Sequence, residues 1–216
     1  MKNSTLTKLP LRPAPPAILF DASNWTQHFV PADGVHNWVM DAFLRLGSPL
    51  HNKDHEHLRD ADLAFLWAAV ENNRQMRRVI GQCEEVTFRC GAWQKGRQEQ
   101  QMTEWFGRVP DYLITLDANY CRECSDAEFC ALVEHEMYHI AHKPDEFGAP
   151  AFTKDGRPKL GIQSHDIEEF VGVVERYGIG APDGVIARMV AAANKGPTIS
   201  QVNIAHACGT CNLKVA

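Results

Sequence analysis

The stretch SDAEFCALVEHEMYHIAH, residues 125–142, carries the sequence signals of one helix. Ser125 and Glu128 have the spacing of a capping box, in which each side chain accepts a hydrogen bond from the backbone N–H of the other residue. Pro144 follows the stretch, and proline cannot continue a helix, so we expect the helix to end near residue 142. The stretch therefore predicts a helix with a well-defined start.

Within this helix, His135, Glu136 and His139 form the pattern H-E-x-x-H. At about 100° per residue the two histidines project about 40° apart, so both imidazoles can bind one metal ion. Shuffling a chain of this composition gives the pattern only about once in forty chains, and zinc binding requires it on a helix. We expect two zinc ligands with Glu136 as the general base, the alternative being a helix with two solvated histidines.

A catalytic zinc site needs a third protein ligand and one open coordination position. The stretch SHDIEEF, residues 164–170, offers His165 and Glu169 at the start of a further predicted helix. A glutamate in a first helical turn is already stabilised by the helix dipole, whereas a histidine there is favoured when it stays neutral, as a metal ligand does. We expect His165 to complete the site, and Glu169 is the alternative ligand.

The composition limits the class of protein. The 216 residues, 44% of them hydrophobic and 23% charged, fit a globular domain with a substantial core. No stretch reaches the length of a membrane span, and prolines interrupt the first twenty residues, so we expect a cytoplasmic protein with no membrane partner. A net charge of -5 gives no general attraction to nucleic acid, which leaves only a local basic patch as a route to such a partner.

The other patterns predict an α+β fold. Apolar residues recur at helical spacing from 54 to 80 and predict a core helix. Strands are expected at 84–90 and 111–118, and we expect the second strand at the sheet edge, where an extended substrate could pair with it. The further predicted elements are a loop or irregular hairpin at 91–110, a connector or hairpin at 144–164, and helices at 164–177 and 183–194.

The seven cysteines are an odd number, which in the cytoplasm favours thiols or metal ligands over disulfides. Four of them form two C-x-x-C pairs that lie far apart in the chain, namely Cys121 with Cys124 and Cys208 with Cys211. The two pairs together could bind a second, structural zinc ion, but their separation is far longer than in a zinc ribbon or finger. Free thiols are the leading alternative, and a redox pair is the third.

Several longer stretches resemble the putative phage metallopeptidase family: LDANYCRECSDAEFCALVEHEMYHIAH (116–142), DEFGAPAFTKDGRP (145–158), SHDIEEFVGVVERYG (164–178) and ACGTC (207–211). The arrangement more distantly resembles SprT-like zinc proteases. This resemblance implies a small zincin-like fold with His135, His139 and His165 as zinc ligands and Glu136 as the catalytic base. The chain departs from SprT-like proteins in the longer loop between His139 and His165 and in lacking a contiguous zinc ribbon.

The sequence and the resemblance together predict a zinc metallopeptidase that acts on a protein or peptide in the cytoplasm of an infected or lysogenic bacterium. We expect an N-terminal arm and mixed segment at 1–50, a zincin-like metallopeptidase domain at 51–195, and a tail with a C-x-x-C pair at 196–216. Two other functions are kept as alternatives. One is a zinc-stabilised binding or inhibitor protein without catalysis, and the other is a DNA-associated protease of SprT-like type.

Overall fold

The structure, a computed structural model, describes residues 10–74, 77–167, 171–202 and 208–210, without the side chain of residue 173. Two short 3-10 helices, Ala17–Phe20 and Lys53–Asp60, and a π-helical turn, Met40–Leu44, accompany the longer elements. The strands and α-helices are, in chain order, β1 (Phe29–Pro31), α1 (Asp33–Val39), β2 (Leu63–Ala68), β3 (Asn73–Arg74), β4 (Arg77–Arg78), β5 (Gly81–Glu85), α2 (Ala92–Phe106), β6 (Tyr112–Asp117), α3 (Ala118–Glu123), α4 (Asp126–Tyr138), β7 (Ile140–His142), β8 (Leu160–Ile162), α5 (Val171–Tyr177) and α6 (Val185–Lys195).

The main sheet has four strands in the order β1-β2-β6-β5. The two central strands, β2 and β6, run parallel, and the outer strands pair antiparallel with them. The sheet-edge prediction for residues 111–118 is therefore wrong: the strand forms as expected, but β2 and β5 occupy its two sides. Parallel strands covered on both faces are built from nearly continuous apolar residues, as YLITL is, and such a strand belongs in the sheet centre.

The prediction of a core helix from 54 to 80 is also wrong. The chain forms the 3-10 helix Lys53–Asp60 and then strand β2, in which all six residues are buried. The run LAFLWA places apolar side chains at helical spacing and at strand spacing alike, so periodicity alone cannot separate the two. Burial on both faces of a sheet favours the strand.

Residues 91–110 were expected to form a loop, yet α2 spans Ala92–Phe106 and ends at Gly107 in a left-handed conformation with φ 72°. No residue of α2 is buried. Its glutamines, glutamates, lysine and arginine are good helix formers, so propensity supports a helix that packs only the partly buried Met102, Trp105 and Phe106 against the sheet. Because α2 has no wide apolar face, its hydrophobic pattern alone does not predict a helix.

Other elements lie close to their predicted places. Strand β5 begins and ends earlier than the predicted strand at 84–90, and Cys90 is exposed. The predicted connector contains β8, which pairs antiparallel with β7 at the end of the predicted helix 125–142, and α6 lies close to the helix expected at 183–194. The helix expected from residue 164 does not begin there: residues 164–167 are irregular, a helix is described from Val171, and Tyr177 at its end is exposed.

The core lies between the sheet, α4 and the segment from residue 19 to residue 58. Its fully buried side chains include Phe43, Phe65, Ile114 and Phe129, which come from four different elements. The chain therefore has the expected α+β fold, while the predicted division at residue 50 stays a prediction. In the described ranges, no helix has both the length and the apolar character that spanning a membrane requires.

Candidate functional site

Helix α4 starts as the capping box predicts. Glu128 donates its N–H to Ser125 Oγ at 3.3 Å, and Ser125 donates its N–H to Glu128 Oε2 at 2.7 Å. Val133, on the apolar face, is fully buried, which fixes the rotation of the helix about its axis. His135 and Glu136 are thereby held on the side of α4 that borders the candidate site.

The helix ends at Tyr138, earlier than expected, and His139 is its C-cap residue. The following residues leave the helix because they pair as β7 with β8, and Gln163 donates its N–H to His139 O at 2.8 Å. This hairpin returns the chain to the end of α4. His165 therefore lies beside the α4 histidines in an irregular segment, not on the helix that the sequence predicted.

The ring of His139 is oriented by the backbone. Its Nδ1 lies 2.7 Å from Gln163 O. A carbonyl oxygen can only accept, so the Nδ1 carries the proton and the Nε2 is left as a lone-pair donor. Backbone acceptors of this kind commonly fix the ring orientation of metal-binding histidines.

Four side chains converge at the end of α4: His135, His139, His165 and Cys208. Their potential ligand atoms all lie within 4.8 Å of one another. The Nε2 atoms of His135 and His165 are 3.0 Å apart, and His139 Nε2 is 3.2 Å from Cys208 Sγ. These four residues come from three separate segments of the chain, so only the tertiary structure brings them together.

The donor set fits zinc. Zinc binds imidazole nitrogen at about 2.0–2.1 Å and thiolate sulfur at about 2.3 Å in tetrahedral geometry, which places neighbouring ligand atoms about 3.3–3.6 Å apart. The two shortest separations in the cluster, 3.0 and 3.2 Å, are close to these values. Three nitrogens and one soft sulfur are typical of zinc rather than of magnesium or calcium, which prefer oxygen.

Cys208 was not predicted as a partner of the histidines. It is 69 residues from His139 in sequence, and its C-x-x-C spacing pointed instead to Cys211 and the earlier pair. Cys121 and Cys124 do not belong to the cluster: Arg12 contacts the backbone carbonyl of Cys121, and its Nη1 lies 3.3 Å from Cys124 Sγ. The four-cysteine zinc site stays a prediction, because Cys211 lies outside the described residues.

Residues 208–210, which we call the strap, lie along the free edge of β5. Cys208 bridges Gly81 in parallel, and Gly209 donates its N–H to Gly81 O at 2.7 Å. Thr210 Oγ1 accepts from Cys83 N–H at 2.7 Å. The strap residues are all buried, so the strap covers the β5 edge next to the histidines.

Glu136 lies between α4, β5 and the strap and has no exposed surface. Its Oε2 is 3.2 Å from Thr210 Oγ1, whose single proton can go either there or to Cys83 O at 2.9 Å. Its Oε1 has no hydrogen-bond partner among the residues that the structure describes. Gly81 makes room for this carboxylate, since a Cβ at that position would stand 2.8 Å from Oε1.

The site perturbs its titratable groups. Burial, and then the neighbouring His139 and His165, lower the pKa of His135 to about 4, which keeps this imidazole neutral at physiological pH. Burial also lowers the pKa of His139, but hydrogen bonds to Cys208 and to the Gln163 carbonyl outweigh it and raise the pKa above its usual value. Burial, and then the nearby Cys208 thiolate, raise the pKa of Glu136 well above that of an ordinary glutamate.

A cleft of about 490 Å³ opens beside the three histidines. Tyr138 forms part of its wall, and the hydroxyl accepts from Asn52 Nδ2 at 2.8 Å and donates to Asp54 Oδ2 at 3.1 Å. The remaining lining residues are Gln163, Ser164, Asp166, Ile167 and Met189. The cleft therefore joins the histidine cluster to a partly apolar, partly polar surface.

The structure brings together all four of the predicted site residues, His135, Glu136, His139 and His165, and adds Cys208. The alternative ligand Glu169 lies outside the described residues. No local sequence signal marks Cys208 as a fifth member, because its proximity arises only when the strap pairs with β5.

One family model, described as putative phage metallopeptidase, matches residues 36–194 of the chain. The matched region contains the three histidines and Glu136 but ends before Cys208. No curated protein and no solved structure gives a significant match.

Proposed function

This chain belongs to the putative phage metallopeptidase family, and from that premise we propose that it is a zinc-dependent peptidase. His135, His139 and His165 would hold the ion, and Glu136 would be the general base. A protein or peptide substrate would bind in the cleft beside the histidines. The cytoplasm of the bacterium that carries the phage genome stays the predicted location.

The proposed mechanism assigns a separate task to each group. A zinc ion bound here supplies Lewis acidity, which makes a water more acidic and a carbonyl more electrophilic. Glu136 accepts the proton of the attacking water and delivers it to the leaving amine of the cleaved peptide. Gln163 O keeps the His139 ring oriented by accepting from its Nδ1, so that the Nε2 stays directed at the cluster.

The observation that carries this proposal is the burial of Glu136 beside the cluster, with one carboxylate oxygen that has no hydrogen-bond partner in the part of the chain that the structure describes. A buried polar atom without a hydrogen bond costs about 1–3 kcal/mol, and more when it is charged. A site that only holds an ion has no use for this cost. A base must have a carboxylate oxygen that can take a proton from a water, and a buried carboxylate with such an oxygen supports a catalytic role.

The test replaces Glu136 by glutamine, which has nearly the same shape but cannot act as a base. Hydrolysis is measured by mass spectrometry on a proteome-derived peptide library at saturating zinc. Glu136→Gln is made both in the natural chain and in the Cys208→Ala variant, which lacks the thiol beside the three histidines. We expect Glu136→Gln to lower the cleavage rate by about 10²–10⁴-fold, the usual contribution of a general base. Zinc content per chain should stay near that of the parent protein.

Glu123→Gln is the matched control, because that side chain is 74% exposed on α3 and should leave both rate and zinc content unchanged. Cleavage that survives Glu136→Gln at the parent rate would remove Glu136 from the mechanism. Peptides left intact by the natural chain and by Cys208→Ala, both loaded with zinc, would contradict the peptidase proposal itself.

A second candidate function has one specific observation in its favour. Three histidines and Cys208 make four protein ligands, and four-ligand zinc sites are typical of structural rather than catalytic centres. Under this alternative the chain is a zinc-stabilised binding or inhibitor protein that acts on a host protein. It predicts one tightly held zinc, a marked loss of stability without zinc, and no cleavage by any variant.

A further inference from the structure

The fourth coordination position is the one that a catalytic zinc site keeps open. In this fold Cys208 Sγ lies 3.2 Å from His139 Nε2 and within 4.8 Å of the ligand atoms of His135 and His165. A thiolate there would supply the fourth ligand to an ion held by the three histidines and would leave no open position for a water or a substrate carbonyl. Cys208 and a reacting water therefore cannot occupy the fourth coordination position at the same time.

The strap also closes the site in two further ways. It occupies the free edge of β5 through the hydrogen bond from Gly209 N to Gly81 O and through Thr210 on Cys83. In addition, Thr210 Oγ1 lies 3.2 Å from Oε2 of the Glu136 carboxylate, so the strap also packs against the proposed base. One short segment thus covers the ion position, the base and the neighbouring sheet edge together.

The strap packs against Arg74, Val79 and Gln82, which we call the seat. Arg74 Nη1 donates to Gly209 O at 2.8 Å, while its Nη2 donates to Gln82 Oε1 at 3.0 Å. A Cβ at Gly209 would stand 2.6 Å from Val79 Cγ1, so only a glycine can pass at this point. The Arg74 guanidinium and the narrow space beside Val79 therefore favour this glycine-containing segment.

We propose that the strap is a latch: Cys208 as fourth ligand holds the peptidase closed, and release of the strap opens the site. The inference rests on the proposed function, because a latch has meaning only for an active site. None of the three histidines lies on the strap: His135 and His139 are at the end of α4, and His165 is in the irregular segment after β8, so they can keep the ion when the strap leaves. Release of residues 208–210 breaks one metal–sulfur bond and the few hydrogen bonds described above.

The first experiment reads the coordination directly and needs no substrate. The full-length natural chain, Cys208→Ala and the control Cys90→Ala, whose cysteine is exposed, are loaded with cobalt in place of zinc. The natural chain and Cys90→Ala should show a thiolate-to-cobalt charge-transfer band, and Cys208→Ala should lack it while keeping one cobalt per chain. Acetohydroxamate, a small metal-binding probe, should bind Cys208→Ala and not the natural chain.

The second experiment weakens the seat and leaves the ligand in place. Arg74→Ala removes the contacts to Gly209 and Gln82, whereas the neighbouring Arg77, which is exposed, provides the control Arg77→Ala. Arg74→Ala should raise acetohydroxamate binding to a level between those of the natural chain and Cys208→Ala. Equal probe binding by Arg74→Ala and Arg77→Ala would overturn the role assigned to the seat.

Hydrolysis by the zinc-loaded proteins separates the latch from the proposed function. We expect Cys208→Ala to cleave about tenfold or more faster than the natural chain, and Cys208→Ala/Glu136→Gln to be inactive. Equal cleavage by the natural chain and Cys208→Ala would overturn the latch and leave the peptidase proposal standing. A cobalt–thiolate band in the natural chain together with no cleavage by any variant would overturn the proposed function and make Cys208 a structural ligand.

Discussion

Gly81 of β5 faces Glu136 of α4 so closely that a Cβ at position 81 would stand 2.8 Å from the Glu136 Oε1 and 2.8 Å from Leu132 Cδ1. The absence of a side chain at this one position lets the strand approach the helix. It also leaves the carboxylate in its buried place beside the histidine cluster. The position of the proposed base is therefore set by a glycine on a different element.

Gly81→Ala should displace Glu136 and Leu132, because the added methyl group has no free volume. Overpacking of this kind costs about 1–3 kcal/mol of unfolding free energy. When Gly81→Ala is introduced into the Cys208→Ala protein, the cleavage rate should fall. Zinc content should be retained, because the substitution leaves the three histidines unchanged. Denaturant unfolding and zinc analysis measure the two effects separately.

Gly96→Ala is the matched control. Gly96 lies in exposed α2, and a Cβ there would meet no atom within 4 Å. Replacing a helical glycine by alanine should stabilise the protein by about 0.5–1 kcal/mol with no effect on cleavage. A Gly81→Ala protein as stable and active as the parent would contradict the close approach of β5 and Glu136.

Ser125→Ala tests the start of the helix that carries the site. The substitution removes the Oγ that accepts from the Glu128 N–H, while the backbone N–H at position 125 can still donate to Glu128 Oε2. Loss of an N-cap side chain costs about 1 kcal/mol. For a chain of this length we expect Tm to fall by about 2–4 °C, measured by calorimetry. The exposed Ser200 provides the control Ser200→Ala, which should leave Tm unchanged. An unchanged Tm for both variants would show that the cap does not limit stability.

The helix of the site could be predicted because its signals are local. The capping box and the buried face through Phe129 and Val133 both lie within a few turns of His135. Its end was misplaced, because the competing β7-β8 pairing depends on residues about twenty positions further along the chain. Local signals thus define where α4 begins, and a non-local contact decides where it stops.

Strand β2 was missed for a related reason. Leu63–Ala68 is a short, continuous apolar run, which fits a buried helix and a buried strand equally well. The choice is made by its neighbours: β6 pairs with it in parallel on one side and β1 antiparallel on the other. Neither partner is adjacent in sequence, so the run alone cannot reveal its structure.

Cys208 is the clearest case in the site itself. Its role depends on the pairing of the strap with Gly81, and the two residues are separated by most of the chain. The nearby spacing to Cys211 suggested a cysteine-only zinc site instead. His135 and His139 could be proposed as a pair from residue type and helix phase, and His165 from its residue type and the family resemblance. The proximity of Cys208 to them requires the tertiary structure.

Cys124 of the earlier pair and Cys130 on α4 should differ in the pH at which they become reactive. A hydrogen bond from Cys121, and then Arg12, lower the pKa of Cys124, whereas burial raises the pKa of Cys130 to about 12. The thiolate is the reactive form, so alkylation of Cys124 should begin at a lower pH than alkylation of Cys130. Iodoacetamide labelling from pH 6 to pH 10, resolved by residue with mass spectrometry, measures both.

Arg12→Gln should move the labelling of Cys124 to higher pH, because the substitution removes the positive charge 3.3 Å from the sulfur. The exposed Arg97 on α2 provides the control Arg97→Gln, which should leave the profile unchanged. Identical profiles for the natural chain and Arg12→Gln would assign the lowered pKa to Cys121 alone.

Under the proposed function, removal of the metal should destabilise the fold, because zinc would bind the native cluster and the unfolded chain has no such site. At a free zinc concentration of 100 times the dissociation constant, binding adds about 2.7 kcal/mol to the free energy of unfolding. For a chain of this size that corresponds to a fall in Tm of about 5–10 °C when a chelator is added. Re-addition of zinc should restore the original Tm.

The ligands should differ in how much of this effect they carry. His165→Ala should lose zinc on dialysis against a weak chelator, because only two histidines and a thiolate on the strap would remain. Glu169→Ala should largely keep zinc, in accordance with the prediction that His165 is the third ligand. Cys208→Ala should also keep it, since all three histidines stay in place. The reverse order, with zinc lost from Glu169→Ala and retained by His165→Ala, would transfer the third ligand position to the glutamate and leave His135 and His139 as ligands.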